Sequence, residues 1–501
     1  MHRQIKIGTI ITYLNIVLNL VVNFVLTPFM LNKLGTSEYG VYKIVQSFTG
    51  QLAIMSFGLA TVTSRYIVVY NTQNKIKEKQ NFLFIIYGIS IILAFCVIVA
   101  GMILYSFMDT IYKKSLTPKE LNTAKVLCLF LIANVAFSIL CDSFTGIIRA
   151  HEKFIISNMI NTMRLMLRMT SIIILLSIGK KTISIVLTDL IITLIVLLFS
   201  LVYSKNILKE NAKLYFFDKT LLKEIFTFSL AVLLQAIVNQ VNQNLDNTIL
   251  GIMTNTSLVT IYSVALTLYN CFISMVTAMS SMFGPRATKL IASGVSSEEL
   301  TDFVCVPGRI QTMIAFLGIL GFLVVGKDFI HLWMGDGLDD VYKITLILIL
   351  PAIIPLIESV TNTILDAMLK RMARSIVLIC MCVINVISSV IFIKLFGYIG
   401  AAFGTALSIV IGHGIIINLY LHKVIGLNIP VMFMKILKGI LPAFLICVAI
   451  GWFVSFISCN NLIQFLMKGG LVVIVYSFVM YWVGMNKNER NSIKNILKIN
   501  N

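Results

Sequence analysis

Long apolar stretches alternate with short polar segments along the whole chain. A membrane-spanning helix needs about 20 consecutive apolar residues, and about fourteen stretches reach that length. They predict helices at 8–31, 44–66, 81–108, 125–148, 154–178, 184–203, 225–250, 258–282, 306–326, 344–368, 375–393, 398–421, 439–458 and 462–485. The stretches are continuously apolar, whereas strands of a membrane barrel alternate. We therefore predict an all-α, polytopic membrane protein of about 14 transmembrane helices.

The composition agrees with this pattern. Hydrophobic residues make up 58% of the 501 residues and charged residues only 12%, against roughly 25% charged residues in soluble domains. A soluble domain, a disordered chain, a coiled coil and a disulfide scaffold are excluded. The nine cysteines show neither metal-ligand nor disulfide spacing, and no metal site or cofactor is expected.

The net charge of +19 would suit a nucleic-acid partner, but the basic residues lie in short gaps between apolar stretches. Gaps on the predicted N-terminal side carry more than twice as many Lys and Arg residues as those on the other side. Basic residues concentrate in cytoplasmic loops. We expect both termini in the cytoplasm, a location in the plasma membrane, membrane lipids around the chain and no nucleic acid. The first stretch is long enough to span, so no cleavable signal peptide is expected.

An internal repeat relates the two parts of the chain. Four polar residues lie along the first predicted span at a spacing of four. Adding 220 to each residue number gives a second polar series on the seventh span. The two series are Asn15, Asn19, Asn23 and Thr27, and Gln235, Asn239, Gln243 and Asn247. The repeat predicts an N-terminal six-helix lobe at 1–210, a second at 211–430, and two additional helices with a cytoplasmic tail at 431–501.

Each polar series forms a slowly winding stripe on its helix. Amides facing lipid would be left unsatisfied, so the stripes face either a neighbouring helix or a polar cavity. Hydrogen-bonded contact between helices is one interpretation. Repetition in both halves, with Asp246 beside the second stripe, favours a cavity that binds substrate.

Two arginines near the middle of the fifth predicted span are candidates for anion binding. Arg164 and Arg168 lie one turn apart, about 15 and 21 Å from the start of the helix. Arginine stays charged and binds phosphate with two parallel hydrogen bonds. The alternative is a structural ion pair with Asp189 or Asp142. Arg65, at the end of the second span, is a third candidate or an ordinary membrane-surface anchor.

Four further ionisable residues lie within predicted spans. Glu358 and Asp366 either titrate or pair with basic residues that follow them, and His413 is interpreted mainly as a satisfied buried histidine. Lys468 has no evident partner in the sequence.

Several segments, taken in order, resemble a known family. They are Leu34–Tyr42 (LGTSEYGVY), Phe57–Tyr66, Asp246–Gly251 (DNTILG), Tyr262–Ala265 and Leu332–Gly335 (LWMG). These segments are similar to the span junctions of Wzx-type oligosaccharide flippases. That branch shares a superfamily with multidrug exporters and the peptidoglycan-precursor flippase. Fourteen spans depart from the twelve common in this branch and are similar to the peptidoglycan-precursor branch.

The resemblance implies two six-helix lobes around a cavity lined by spans 1, 2, 7 and 8. It implies a non-enzymatic flippase that moves undecaprenyl-pyrophosphate-linked oligosaccharide by alternating access, with a coupling ion, Na⁺ or H⁺, left open, and other polysaccharide-assembly proteins as partners. On this hypothesis the arginines hold pyrophosphate and the amides bind sugar hydroxyls. Three alternatives stay open: a multidrug or cation exporter, a membrane-embedded glycan polymerase or ligase, and a non-transporting scaffold.

Overall fold

The computed structural model describes residues 2–56, 58–216, 219–277, 283–368, 371–457, 459, 461–491 and 494. Every regular element within these residues is a helix, and no strand occurs among them. The predicted all-α class is confirmed.

The first part of the chain forms eight helices among the described residues. They are α1 (His2–Gly50), α2 (Leu59–Thr72), α3 (Ile76–Tyr112), α4 (Pro118–Ala150), α5 (Phe154–Ser177), α6 (Thr182–Val202), α7 (Lys219–Met253) and α8 (Thr256–Thr277). A 3₁₀ turn at Gln51–Ser56 separates α1 from α2, and a π-helical turn at Tyr203–Ile207 extends α6.

The second part continues in the same manner. Its helices are α9 (Gly284–Ala292), α10 (Ser297–Met334), α11 (Asp340–Ile357), α12 (Thr361–Ala367), α13 (Arg371–Phe396), α14 (Gly400–Ile409), α15 (Asn418–Tyr420), α16 (Ile429–Leu437), α17 (Ile440–Ser455) and α18 (Leu462–Val479). π-helical segments at Val410–Ile417, Leu421–Ile425 and Met480–Gly484 follow α14, α15 and α18.

The helices fit many membrane crossings. Among the described residues, 10 segments are long and apolar enough to cross, or 11 if the bent pair α16–α17 is one span. Two of them, Val17–Thr72 with 56 residues and Arg374–Ile425 with 52, exceed twice the length that one crossing needs. The predicted fourteen spans are consistent with these lengths, and that count stays a prediction.

The boundary between the first two predicted spans differs from the sequence expectation. Residues 32–43 were expected to form a loop, whereas helix continues on both sides of Gly35, which has φ 79° and ψ 170°. This backbone conformation is open to glycine and strained for other residues. The chain therefore bends at one residue. The expected second span is itself interrupted by the 3₁₀ turn and by Gly58 with φ 65°.

Helix contacts divide the chain into two compact units, Met1–Ser263 and Val264–Asn501. The lobes predicted from the repeat, with boundaries at residues 210 and 430, follow a different criterion and stay a prediction.

The first unit joins the equivalent helix junctions of the two repeats. Glu120 accepts hydrogen bonds from Ser37 Oγ at 2.5 Å and from Thr256 Oγ1 at 2.8 Å. Gly40 permits this approach, because a Cβ there would lie 2.1 Å from the carbonyl oxygen of Thr256. Thr36, the neighbour of Ser37, is related to Thr256 by the repeat offset of 220, so the residues that meet at this carboxylate are one position away from exact correspondence.

An arginine anchors the C-terminal helices in the second unit. Arg309 on α10 is 7% exposed and forms an ion pair with Glu489 at 2.6 Å. Its guanidinium also donates to the carbonyl oxygens of Lys435, Ile436, Lys438 and Gly484. One side chain thus satisfies the ends of α16 and of the segment after α18.

Lys468 also has a structural role in the second unit. Its ammonium lies 2.8 Å from Asp328 on α10 and donates to the carbonyl oxygens of Ser455 and Ile457. No partner for Lys468 was evident from the sequence, and the structure supplies one, Asp328, 140 residues away.

Candidate functional site

A polar cavity of about 260 Å³ lies within the first unit, between α1, α4, α5 and α6. Both candidate arginines of α5 line it. The other polar lining residues are Gln46, Thr49, Asn134, Asp189 and Thr193. With a rise of about 1.5 Å per residue, both arginines lie near the middle of α5 rather than at its ends, and both line the cavity. The structure therefore brings the two arginines together in one polar site.

Arg168 is held by fixed partners on two other helices. Its Nε donates to Asp189 Oδ1 at 2.9 Å, and its terminal nitrogen donates to the hydroxyl of Tyr42 at 2.8 Å. The structural pair with Asp189, which the sequence left open, is present. Arg168 therefore fixes α5 against α1 and α6, and it adds positive charge to the cavity wall.

Arg164 differs from its neighbour. It forms no ion pair among the residues that the structure describes, and its buried Nε has no hydrogen-bond acceptor there. Asp142 on α4 interacts electrostatically with the Arg164 guanidinium, but the two residues form no salt bridge within the described chain. A guanidinium inside a membrane span is costly and marks functional sites. Arg164 is thus suited to bind an anion.

Four uncharged polar cavity residues were not named from the sequence: Gln46, Thr49, Asn134 and Thr193. Gln46 and Thr49 extend from the end of α1, and Asn134 from the middle of α4. The buried Oδ1 of Asn134 has no hydrogen-bond partner in the described part of the chain. The sequence did contain a signal for them, since each is a polar residue within an apolar stretch. None of them belongs to the repeated polar stripes.

The first predicted stripe has two kinds of environment. Asn15 is buried, donates to the carbonyl oxygen of Asn158 at 3.2 Å and accepts from Thr162, so it joins α1 to α5. Asn19 and Asn23 are exposed, and each donates to the carbonyl four residues earlier at 2.9 Å. Asn15 therefore fits the contact between helices, whereas the exposed side chains of Asn19 and Asn23 bond within α1.

The second stripe is described only near its end. The side chains of Gln235, Asn239 and Gln243 lie outside the described residues. Asp246 is buried and accepts a hydrogen bond from Tyr262 at 2.7 Å, which ties α7 to α8.

Arg65 lies on α2 and is exposed. It does not line the polar cavity, so the structure does not bring it together with the two arginines of α5.

Glu358 and His413 form a separate polar pair in the second unit. Glu358 is buried at the end of α11 and lies 3.2 Å from His413 Nδ1. Asn418 donates to the same carboxylate at 2.6 Å. His413 is thus hydrogen-bonded, as interpreted from the sequence, and its partner is Glu358.

A buried carboxylate also closes one end of the first unit. Glu210, beyond α6, accepts from Lys79 and His151, each at 2.8 Å. Burial acts to raise the pKa of Glu210, but the hydrogen bonds from His151 and Lys79 outweigh it and lower the pKa below its ordinary value. The carboxylate is therefore ionised at neutral pH.

With this geometry described, sequence comparison identifies the family. A family model described as "Polysaccharide biosynthesis protein" matches residues 5–291, more than half of the chain. The chain belongs to this family. The polysaccharide biosynthesis match extends from the first turn of α1 to beyond α8 and therefore includes the complete arginine cavity.

Individual relatives give further similarity. The chain is 30% identical over 178 residues to "Probable flippase AglR" of Haloferax volcanii, a match that covers 34% of this chain and 36% of that protein. The aligned region thus spans about a third of the length of this curated relative.

Solved structures share the fold. "Lipid II flippase MurJ, inward closed conformation" superposes with a TM-score of 0.72 at 17% identity, covering 95% of this chain and 99% of that one. An inward-facing multidrug resistance MATE family transporter of the MOP superfamily gives 0.65 at 13% identity, covering 80% and 92%. This member of the polysaccharide biosynthesis family is a multi-pass membrane protein with the fold of these transporters.

Proposed function

We propose that the protein is a flippase that moves undecaprenyl-pyrophosphate-linked oligosaccharide across the plasma membrane by alternating access. Family membership supports a role in polysaccharide biosynthesis. The similarity to a probable flippase supports flipping as the activity, and the shared fold with the lipid II flippase supports a lipid-linked substrate. Both termini are cytoplasmic in this proposal.

The observation that carries the proposal is the charge of the polar cavity. Arg164 and Arg168 bring two positive charges to it, and Asp189 neutralises one of them. The remaining positive charge sits on Arg164, which has no ion-pair partner among the described residues. Guanidinium binds phosphate oxygens with two parallel hydrogen bonds, so a pyrophosphate suits this cavity better than a cation does.

Polar groups without charge complete the site. Gln46, Thr49 and Asn134 provide amide and hydroxyl groups beside Arg164. Such groups bind sugar hydroxyls without the desolvation cost of a fixed charge. The exposed side-chain amides of Asn19 and Asn23 add further polar groups on α1. A coupling ion, Na⁺ or H⁺, and other assembly proteins remain part of the proposal.

The test replaces Arg164 and measures two quantities together. Arg164→Ala should abolish surface polysaccharide in cells whose only copy carries the change, while the amount of protein in the membrane stays normal. Arg164→Lys should restore only part of the export, because an ammonium keeps the charge but loses the planar paired geometry. Thr170→Ala is a matched control, since Thr170 is exposed on the same helix and bonds only to Met166 of that helix among the described residues.

Purified protein provides a second measurement. Undecaprenyl pyrophosphate should raise the melting temperature of the native protein and of Thr170→Ala, but not that of Arg164→Ala. Normal export by Arg164→Ala would refute the binding role. A melting temperature raised by an organic cation instead of by the pyrophosphate would favour a cation exporter.

A further inference from the structure

An apolar groove runs along the surface between α5 and α6. Its floor is formed by Ile160 and Val196, which are buried, and its volume is about 140 Å³. The rim residues are Ile156, Met159, Met163, Leu167, Ile195 and Phe199. Five of the six rim side chains are 40% to 59% exposed. The groove is therefore apolar and open along the exposed side of α5 and α6.

Arg164 connects this groove to the polar cavity. Arg164 lines both the apolar groove and the polar cavity. It has no ion-pair partner among the described residues. The groove surface is almost entirely apolar, so Arg164 lines the groove with its hydrocarbon stem, while its guanidinium belongs to the polar cavity. The combination of one cation and a long apolar surface matches a ligand with an anionic head and a hydrocarbon chain.

The dimensions and composition of the groove favour a polyprenyl chain. The lining of α5 extends from Ile156 to Leu167, which corresponds to roughly 16 Å of helix. Methionine side chains adapt to irregular partners, and Met159 and Met163 lie on the rim where a branched isoprenoid chain would rest. The groove holds only apolar residues besides Arg164, so no polar part of a ligand fits elsewhere along it.

We infer that the α5–α6 groove binds the polyprenyl chain of the substrate while Arg164 binds its pyrophosphate. The inference rests on the proposed function and adds the path of the lipid chain. The sugar-pyrophosphate head and the polyprenyl chain then diverge at Arg164. The sugar points toward Gln46 and Asn134, and the polyprenyl chain stays next to the membrane. Bound in this way, the substrate is part-way through its transfer.

The experiment is photolabelling of the native protein in phosphatidylcholine vesicles. The probe is undecaprenyl pyrophosphate with a diazirine on a central isoprene unit. Labelled peptides should come from residues 156–167 and 195–199. Met163→Trp should lower this labelling about tenfold, since displacing about two methylene groups from the groove corresponds to that change in affinity. Ile174→Trp is the control, because Ile174 is equally lipid-exposed on α5 but lies outside the groove.

The competitors and the export assay separate the outcomes. Unlabelled undecaprenyl pyrophosphate should suppress the labelling, whereas phosphatidylglycerol should not. Equal suppression by phosphatidylglycerol would show an ordinary lipid groove and overturn the inference. Specific labelling of other helices, together with normal export by Met163→Trp, would overturn the groove while leaving the flippase intact. Loss of all specific labelling, together with normal surface polysaccharide in cells that lack the protein, would overturn the flippase itself.

Discussion

Replacing Arg168 by methionine removes the charge partner of Asp189 and the hydrogen-bond donor to Tyr42. At 2.9 Å and an effective dielectric constant of about 20, the Coulomb attraction is about 6 kcal/mol before desolvation. The Arg168 side chain is 32% exposed and that of Asp189 14%, so solvent screens much of this attraction. Breaking fully buried pairs costs about 3–5 kcal/mol and exposed pairs less than about 1. We expect a loss of about 2 kcal/mol from the pair and about 1 from the tyrosine bond.

Thermal unfolding of the purified protein in detergent measures this loss. At about 1 °C per kcal/mol for a chain of 501 residues, Arg168→Met should melt about 3 °C below the native protein. Asp189→Asn should also melt lower, and the double variant should recover part of the deficit because neither partner is then left unpaired.

Arg164→Met provides the matched control on the same helix. Because Arg164 has no ion-pair partner among the described residues, its loss should leave the melting temperature within about 1 °C of the native value or raise it. Equal destabilisation at both positions, or strictly additive effects of Arg168→Met and Asp189→Asn, would refute the assigned pairing.

Four further results are expected. Lys468→Met should lower the melting temperature, since it leaves a carboxylate of α10 without its partner, and neutralising that carboxylate as well should restore it. Glu210→Gln should cost about 2 kcal/mol at neutral pH. Because the folded pKa of Glu210 is below its ordinary 4.5, this difference should hold above that pH and disappear as the pH falls through the folded value; a constant difference down to pH 2 would contradict it. Cysteines at Asn19 and Asn239 should react with a small polar thiol reagent, and equal protection at both would favour helix contact over a cavity. A reporter fused after Asn501 should be active only in the cytoplasm.

The fold class followed from the sequence because apolar length alone distinguishes membrane helices. The polar residues at mid-helix also identified Arg164 and Arg168 as unusual. Helix boundaries were less accurate near Gly35, because the polar residues around it predicted a loop, whereas a single residue with positive φ redirects the backbone and helix continues on both sides.

Side-chain partners were the hardest part to predict. Asn15 bonds to Asn158, which is 143 residues away, and periodicity shows which face of a helix is polar but not which helix lies opposite. The same reason explains why the sequence left two carboxylates open for Arg168. Gln46 and Asn134 were overlooked because their significance comes from sharing a cavity, a property of the packed helices rather than of either stretch.

The network around Arg309 has a consequence for how the protein is made. Its ion-pair partner Glu489 follows it by 180 residues, so at about 5–20 residues per second the ribosome needs roughly 10–40 s to supply it. During that interval α10 carries a guanidinium whose carboxylate partner has not yet been synthesised. The contacts of Arg309 can therefore be completed only after Glu489 has been synthesised. Chains that stop early, even after most helices are in the bilayer, present an uncompensated cation by which membrane quality control can recognise them.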